Sequence, residues 1–309
     1  MLKYLLHRLL QGAISLGIIT VIIFMLTRLL GDPVVQLLPP TYTPEEYDRL
    51  ASALGYDQPV HIQFMDFLGG LVRGDLGTSI TRSEPVVDVL ASRIPVTLYL
   101  AVSSLLLGFG SALILGFVAA YSRSRFLDSL TTLLATLGMA VPSFAVGILL
   151  VVTFSIGLGM FPAGGWGTGA HAVLPVATLT IWMFSNVARI ARSTMQERSA
   201  QQYVTLAQTK GLSAPHVLLR HAARPSMPPV ISYGAVLAGT LFSGTVVTEV
   251  LFGIPGLGAL AVDAVSNRDQ PLVIGIVMLS AVIFIALNLI SDVLTAILDP
   301  RVRLGGSPQ

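Results

Sequence analysis

At 309 residues, 53% hydrophobic and 11% charged, with a mean hydropathy of +0.79, the chain falls far below the roughly 25% charge of soluble domains. It reads as a membrane protein. It has no cysteine, which excludes a disulfide framework, a thiol nucleophile and a cysteine metal site. Its net charge of +2 acquires meaning only once the charges are assigned to the two sides of a bilayer.

A helix needs about 20 apolar residues to cross the hydrocarbon, and helices satisfy their own backbone there. The first apolar run is Leu9–Thr27, between Arg8 and Arg28. It is longer than a signal-peptide core and is followed by no small-residue cleavage site, so it reads as a retained anchor. The segment 31–95 lies on the far side of the first span. In it, Thr43-Pro44-Glu45-Glu46 is a capping box with proline at the first helical position, which predicts a helix to Leu54 stopping at Gly55. A second helix is expected after Pro59, with Phe64, Phe67, Leu68 and Leu71 as an amphipathic stripe suited to a membrane surface. This segment suits either a small cap on the bundle or a docking platform for an outer partner.

The second span is expected between Arg93 and Arg123. The charge-free stretch Ser129–Ala188 is too long for one span and is broken by the glycine-rich Phe161–Gly169. It predicts two helices, roughly 130–158 and 173–190, with Pro142 kinking the first. Between Arg189 and Arg224, two short helices are expected. The first ends at Gly211 and the second starts at Ser213 with Pro215 in its first turn. Pro225, Pro228 and Pro229 are expected to end the latter. Tyr203, Ala207 and Lys210 share a helical face, which suits a basic pair resting on anionic lipid heads or a lever against another protein. The fifth and sixth spans are expected before Glu249 and between Asp269 and Asp292.

Six spans place both termini on one side, with Lys3, Arg8, Arg123, Arg125, Arg189, Arg192, Arg198, Lys210, Arg220, Arg224, Arg301 and Arg303. Only Asp128, Glu197, Asp292 and Asp299 oppose them there. The positive-inside rule makes that side cytoplasmic. Trp166 and Trp182 are expected at an interface or in packing, and Asn288 and Asp292 in interhelical hydrogen bonds. No acid falls in the middle of a span, as ion-coupled secondary transporters require. No GxSxG, HExxH or GxxxxGK[ST] occurs, so a membrane enzyme or an intrinsic ATPase finds no support.

The stretch Tyr203–Leu212, followed by Leu218-Leu219-Arg220-His221-Ala222, resembles the EAA loop of binding-protein-dependent ATP-binding-cassette (ABC) permeases, more narrowly the "B" branch of the dipeptide/oligopeptide/nickel family. The resemblance runs nearly the whole chain. It includes Arg28–Pro33, Leu54–Pro59, Arg73–Ser79, Arg93–Leu98, Pro142-Ser143-Phe144, Glu249–Gly258, Asn267–Pro271 and Leu298–Arg303. The name-giving Glu-Ala-Ala falls on Thr205-Leu206-Ala207, of which only Ala207 matches, together with Gly211 four residues on.

The resemblance implies an all-α polytopic fold of the type I importer class, with six transmembrane helices. It divides the chain into 1–30, the outer segment 31–95 and a permease core 96–309 containing the coupling loop 189–224. It implies a second permease subunit, two ATPase subunits that carry ATP and Mg, an external binding protein, surrounding lipid, a bacterial inner membrane, no cofactor on this chain and no nucleic acid. ATPase coupling then falls to Tyr203, Val204, Ala207, Lys210, Gly211, Leu212, Arg220 and His221. Met139, Pro142, Phe144 and Glu249 are the candidates for a translocation path; for Glu249, at a span's outer end, structural pairing is the competing role. The implied cargo is di- or oligopeptide, with nickel chelates, glutathione or haem as alternatives and ion-coupled secondary transport as a remoter one.

Overall fold

The computed structural model describes residues 2–29, 33–39, 41–121 and 124–298. The expectations for residues 30–32, Arg123 and 299–303 fall outside the described residues. Helix α1 (Leu2–Leu29) is followed by α2 (Pro33–Leu37), α3 (Pro44–Leu54) and α4 (Val60–Val72). Then come α5 (Val86–Tyr121), α6 (Arg125–Ala140) and α7 (Ser143–Leu150), which a π-helical turn, Val151–Gly157, extends. Helix α8 (Gly169–Ser199) leads to α9 (Gln202–Thr209), and α10 (Ala214–His216) runs through a π-helical segment, Val217–Ala223, into α11 (Arg224–Phe252). Helices α12 (Leu257–Ser266) and α13 (Gln270–Leu298) complete the described residues.

Four helical segments, Leu6–Leu26, Val86–Tyr121, Gly169–Ser199 and Gln270–Ile290, are long and apolar enough to span a bilayer. Two bent pairs raise the number to six when each counts as one span. In these, α6 meets α7 with its π-helical extension at 105°, and Ala214–Leu241 meets Thr245–Phe252 at 45°. The expected kink at Pro142 is thus a sharp bend between two helices. Val141 is extended and Pro142 caps α7, as the restriction that proline imposes on its predecessor dictates.

Several boundaries differ from the sequence expectation, each for a tertiary reason. Helix α5 starts at Val86, well before Arg93, and continues through Pro95. Its first turns bury Val86, Val89 and Leu90 against Leu257, Leu260, Leu272 and Ile276, and that burial outweighs one lost backbone bond. Helix α8 runs on to Ser199 because Ala188, Ala191 and Met195 continue its buried face. The interhelical loop therefore begins near Ala200 rather than at Arg189. The stripe of α4 does not lie free on a membrane surface: Phe64 and Phe67 pack on Phe24 of α1, with ring centroids 5.0 and 5.7 Å away.

Helix α8 is the centre of the main core. Met183, Val187, Ala188 and Ala191 are fully buried there, with Leu100 of α5 and Leu237 and Leu241 of α11 in the same cluster. Gly108 and Gly116 let α5 approach closely: a Cβ would come within 2.6 Å of Met183 Cβ at the first and 2.9 Å of Ala191 Cβ at the second. Small residues at such contacts are the usual device where lipid gives no hydrophobic drive between helices. Arg192 and Asp128 join α8 to α6 in a bidentate pair, Nη2 to Oδ2 at 2.8 Å. Arg8 and Asp292 join α1 to α13 at 3.0 Å, giving Asp292 the interhelical partner expected of it. Asn288 instead donates to Phe284 O within its own helix.

At the start of α13, buried Asp269 ties down the loop before α5. It accepts from Ser79 Oγ at 2.5 Å, Thr81 Oγ1 at 2.7 Å and Thr81 N at 3.1 Å, and caps α13 through Leu272 N at 3.3 Å. Burial by itself raises this carboxyl's pKa, but the hydrogen bonds from Ser79 and Thr81 outweigh it and hold the group below the ordinary carboxylate range. The folded chain therefore prefers the ionised form more than the unfolded chain does. That contribution to stability is complete above about pH 4 and is withdrawn as pH falls through the folded value. Between pH 6 and 3 the melting temperature is expected to fall more steeply in the wild type than in Asp269→Asn; parallel curves would refute this anchor.

Candidate functional site

The elbow between α8 and α11 is built by one glycine. Helix α9 ends in a Schellman arrangement: Gly211 N donates to Gln208 O at 3.0 Å and Leu212 N to Ala207 O at 3.4 Å. Gly211 takes φ +79°, a left-handed conformation that only glycine adopts without strain. A Cβ there would meet nothing within 4 Å, so backbone conformation rather than crowding demands the glycine.

Val204 and Ala207 turn inward and pack with buried Val217 and with Tyr121 at the end of α5. The face that groups Tyr203, Ala207 and Lys210 is therefore split. Ala207 is sealed against the bundle, whereas Tyr203 and Lys210 point away from it. Outward stand Tyr203, Leu206, Leu212 and Leu219, at 41, 56, 40 and 68% exposure. Arg220 is exposed beside them and His221 half-buried.

Beyond the elbow, the second short helix does not end at the prolines. It widens into the π-helical turn, where Arg224 N reaches Leu219 O five residues back, and continues as α11. Pro225 has no N–H, and its ring would press on the carbonyl four residues back. The wider turn relieves this. Pro228 and Pro229 sit inside the helix, and Ser232 Oγ donates to the Pro228 carbonyl at 2.9 Å. One helical rod thus runs from the elbow to Phe252, bent once.

At the far end of that rod Glu249 is fully buried. Its Oε1 accepts from Thr97 Oγ1 of α5 at 2.7 Å; its Oε2 accepts from Gly258 N at 2.6 Å and Ala259 N at 3.0 Å, the first amides of α12. Thr97 Oγ1 in turn accepts from Leu257 N at 2.8 Å. A carboxylate at a helix N-terminus complements both the orphan amides and the dipole. Gly256 and Gly258 are required by the approach: a Cβ on the first would strike the Glu249 carboxylate, and on the second would lie 2.5 Å from Val246 Cα. Glu249 therefore clasps α5, α11 and α12 together. Of the other path candidates, Met139, Pro142 and Phe144 lie exposed around the α6–α7 turn. Gly138 and Gly147 press that turn against Ser185 of α8 and Leu251 of α11.

Residues 1–101 match the N-terminal model, and residues 112–304 the main model, of the binding-protein-dependent transport system inner membrane component family. The chain belongs to this family of ABC importer permeases. Among its relatives, the dipeptide transport system permease protein DppB of Lactococcus lactis is 36% identical over 98% of this chain and 100% of its own length. The glutathione transport system permease protein GsiC of Salmonella typhimurium is 37% identical over 98% and 99%. In fold, the permease resembles the inward-facing MetNI methionine ABC transporter (TM-score 0.55, 14% identity, 70% of this chain and 99% of that one). It also resembles an amino acid ABC transporter crystallised with histidines (TM-score 0.50, 18% identity, 70% and 94%). It is a multi-pass membrane subunit.

Within the permease, sequence reasoning missed Leu206 and Leu219 as exposed elbow residues and missed α12 altogether. Both had a signal. Leu206 and Leu219 stand outside the inward set Val204, Ala207 and Val217, and Gly256-Leu257-Gly258 opens an apolar run of helical length that closes at Asn267.

Proposed function

We propose that the permease forms half of a translocation path for short peptides and that its elbow receives the motion of a partner ATPase, which alone carries ATP and Mg. A second permease subunit completes the path, and an external binding protein delivers the ligand. The basic elbow end and both termini face the cytoplasm, as the charge asymmetry argues. One observation carries the reading: α9 is sealed on its own bundle by Val204 and Ala207 while it offers Tyr203 and Leu206 outward. The adjoining rod continues from the elbow to the Glu249 clasp. A displacement imposed at Tyr203, Leu206, Leu212, Leu219 and Arg220 therefore moves the far end of α11 and α12 with it, a two-state element biased from outside the membrane. Lys210 and His221 rim this contact. Met139, Pro142 and Phe144, at the sharp turn between α6 and α7, are the path residues in this reading, and Glu249 is a positioning residue.

Because the chain has no cysteine, Tyr203→Cys creates a unique attachment point. A short thiol cross-linker on Tyr203→Cys in the purified complex is expected to capture the ATPase subunit, with a yield that changes on ATP addition. Capture of lipid or of nothing would refute the coupling role. Peptide cargo is supported by the 36% identity to the dipeptide permease of Lactococcus lactis. Glutathione, itself a tripeptide, is a second reading supported by the 37% identity to a glutathione permease. Competition between a labelled dipeptide and glutathione for uptake by the reconstituted importer separates the two.

A further inference from the structure

His216 and His221 are five residues apart, and a regular α-helix of 3.6 residues per turn would set them about 140° apart around the axis. The π-helical segment Val217–Ala223 lies between and beyond them, and its wider turn brings residues i and i+5 onto one face. The two imidazole rings accordingly lie with centroids 5.8 Å apart, tilted by 48°. His216 is exposed and His221 half-buried. Among the described residues neither ring makes a hydrogen bond or ion pair.

With metal–nitrogen bonds of about 2.0–2.1 Å, two imidazoles on one Zn²⁺-like ion have centroids roughly 5–6 Å apart. We infer that His216 and His221 form a two-imidazole site for a borderline divalent cation of the Zn²⁺ and Cu²⁺ class, and that filling it holds the elbow in its widened turn. Among the described residues no group of three His, Cys, Asp or Glu side chains forms, so water or a donor from a contacting chain completes the coordination. The conformational half follows from linkage. The rings lie within reach of one ion in the π-helical register and would be set about 140° apart in the α-helical one, so a bound cation favours the former by its differential affinity. Arg220 and Arg224, close in sequence, oppose a cation by charge. Salt screens that opposition, so affinity is expected to rise with ionic strength, the reverse of a cation held by surface carboxylates. Cu²⁺ is expected to bind more tightly than Zn²⁺.

The test uses the complete chain purified without a histidine tag. Titration with Cu²⁺, followed by electron paramagnetic resonance, is expected to show coupling to two imidazole nitrogens. His216→Ala and His221→Ala are each expected to weaken binding at least about tenfold. Coupling to one nitrogen or none, or an affinity unchanged by both substitutions, overturns the site. The wild-type spectrum counts the nitrogens by itself, so a variant that fails to fold leaves the test intact. Zn²⁺ is then expected to slow amide exchange across residues 217–224 severalfold; unchanged exchange overturns the effect on the turn.

Discussion

Uptake by the reconstituted importer is expected to collapse when Gly211 is replaced by proline, while basal ATP hydrolysis by the complex persists. Gly211 stands at φ +79°, and proline fixes φ near −65° and removes the N–H that Gln208 O accepts. The conflict costs about 3 kcal/mol or more, against the roughly 1.4 kcal/mol that makes a tenfold change in an equilibrium. The Schellman end of α9 cannot survive it, and α9 loses its fixed angle to the rod that begins at Ala214. The bundle core, which lies on α8, is untouched, so assembly and hydrolysis are expected to remain. Gly211→Ala sharpens the test. No atom lies within 4 Å of the added Cβ, and the left-handed conformation costs an alanine about 1–2 kcal/mol. Uptake is expected to fall partially with alanine and at least about tenfold with proline. Proline carrying wild-type uptake would remove the elbow from the coupling mechanism.

What the sequence made legible was local. The Thr43–Glu46 box and the left-handed stop at Gly55 are both present, because a cap is settled by the four or five residues that make it. Gly211 belongs to the same class. The spans follow from apolar length, a property of each segment by itself. Helix boundaries set by neighbours were not legible: Pro228 and Pro229 read locally as stops, and residue 95 as the end of the outer segment, yet all three prolines sit inside helices that pack on others. Periodicity placed Tyr203 and Ala207 together, but which arc of α9 turns inward depends on Val217 and Tyr121, which lie elsewhere in the chain. Glu249 was visible as an acid at a span's end. Its partners, Thr97 and the amides of Gly258 and Ala259, become neighbours only once α5, α11 and α12 meet.

That junction carries the second large effect. Glu249→Ala would leave Thr97 Oγ1 without its acceptor and the amides of Gly258 and Ala259 unpaired in a place closed to water. Each orphaned buried donor costs about 1–3 kcal/mol, and the truncation adds a cavity. The purified permease complex is expected to melt roughly 5–10 °C lower, in line with a few kcal/mol spread over a chain of this size. Glu249→Gln is expected to fall between, since its carbonyl still accepts from Gly258 and Ala259 while its amide cannot accept from Thr97. Thr97→Val, which orphans Leu257 N and removes one donor to the carboxylate, should cost less than Glu249→Ala and add little to it, because the two residues share one network. A path-lining acid predicts the opposite pattern: Glu249→Ala would alter cargo selection at unchanged melting temperature, with no coupling to Thr97. The order Ala, Gln, wild type in melting temperature, together with non-additivity against Thr97→Val, is therefore what separates a clasp from a path residue. A clasp also explains why this acid stands at the far end of the rod. When the elbow pulls on α11, Glu249 makes α12 and the start of α5 move as one piece with it, instead of letting α11 slide past them.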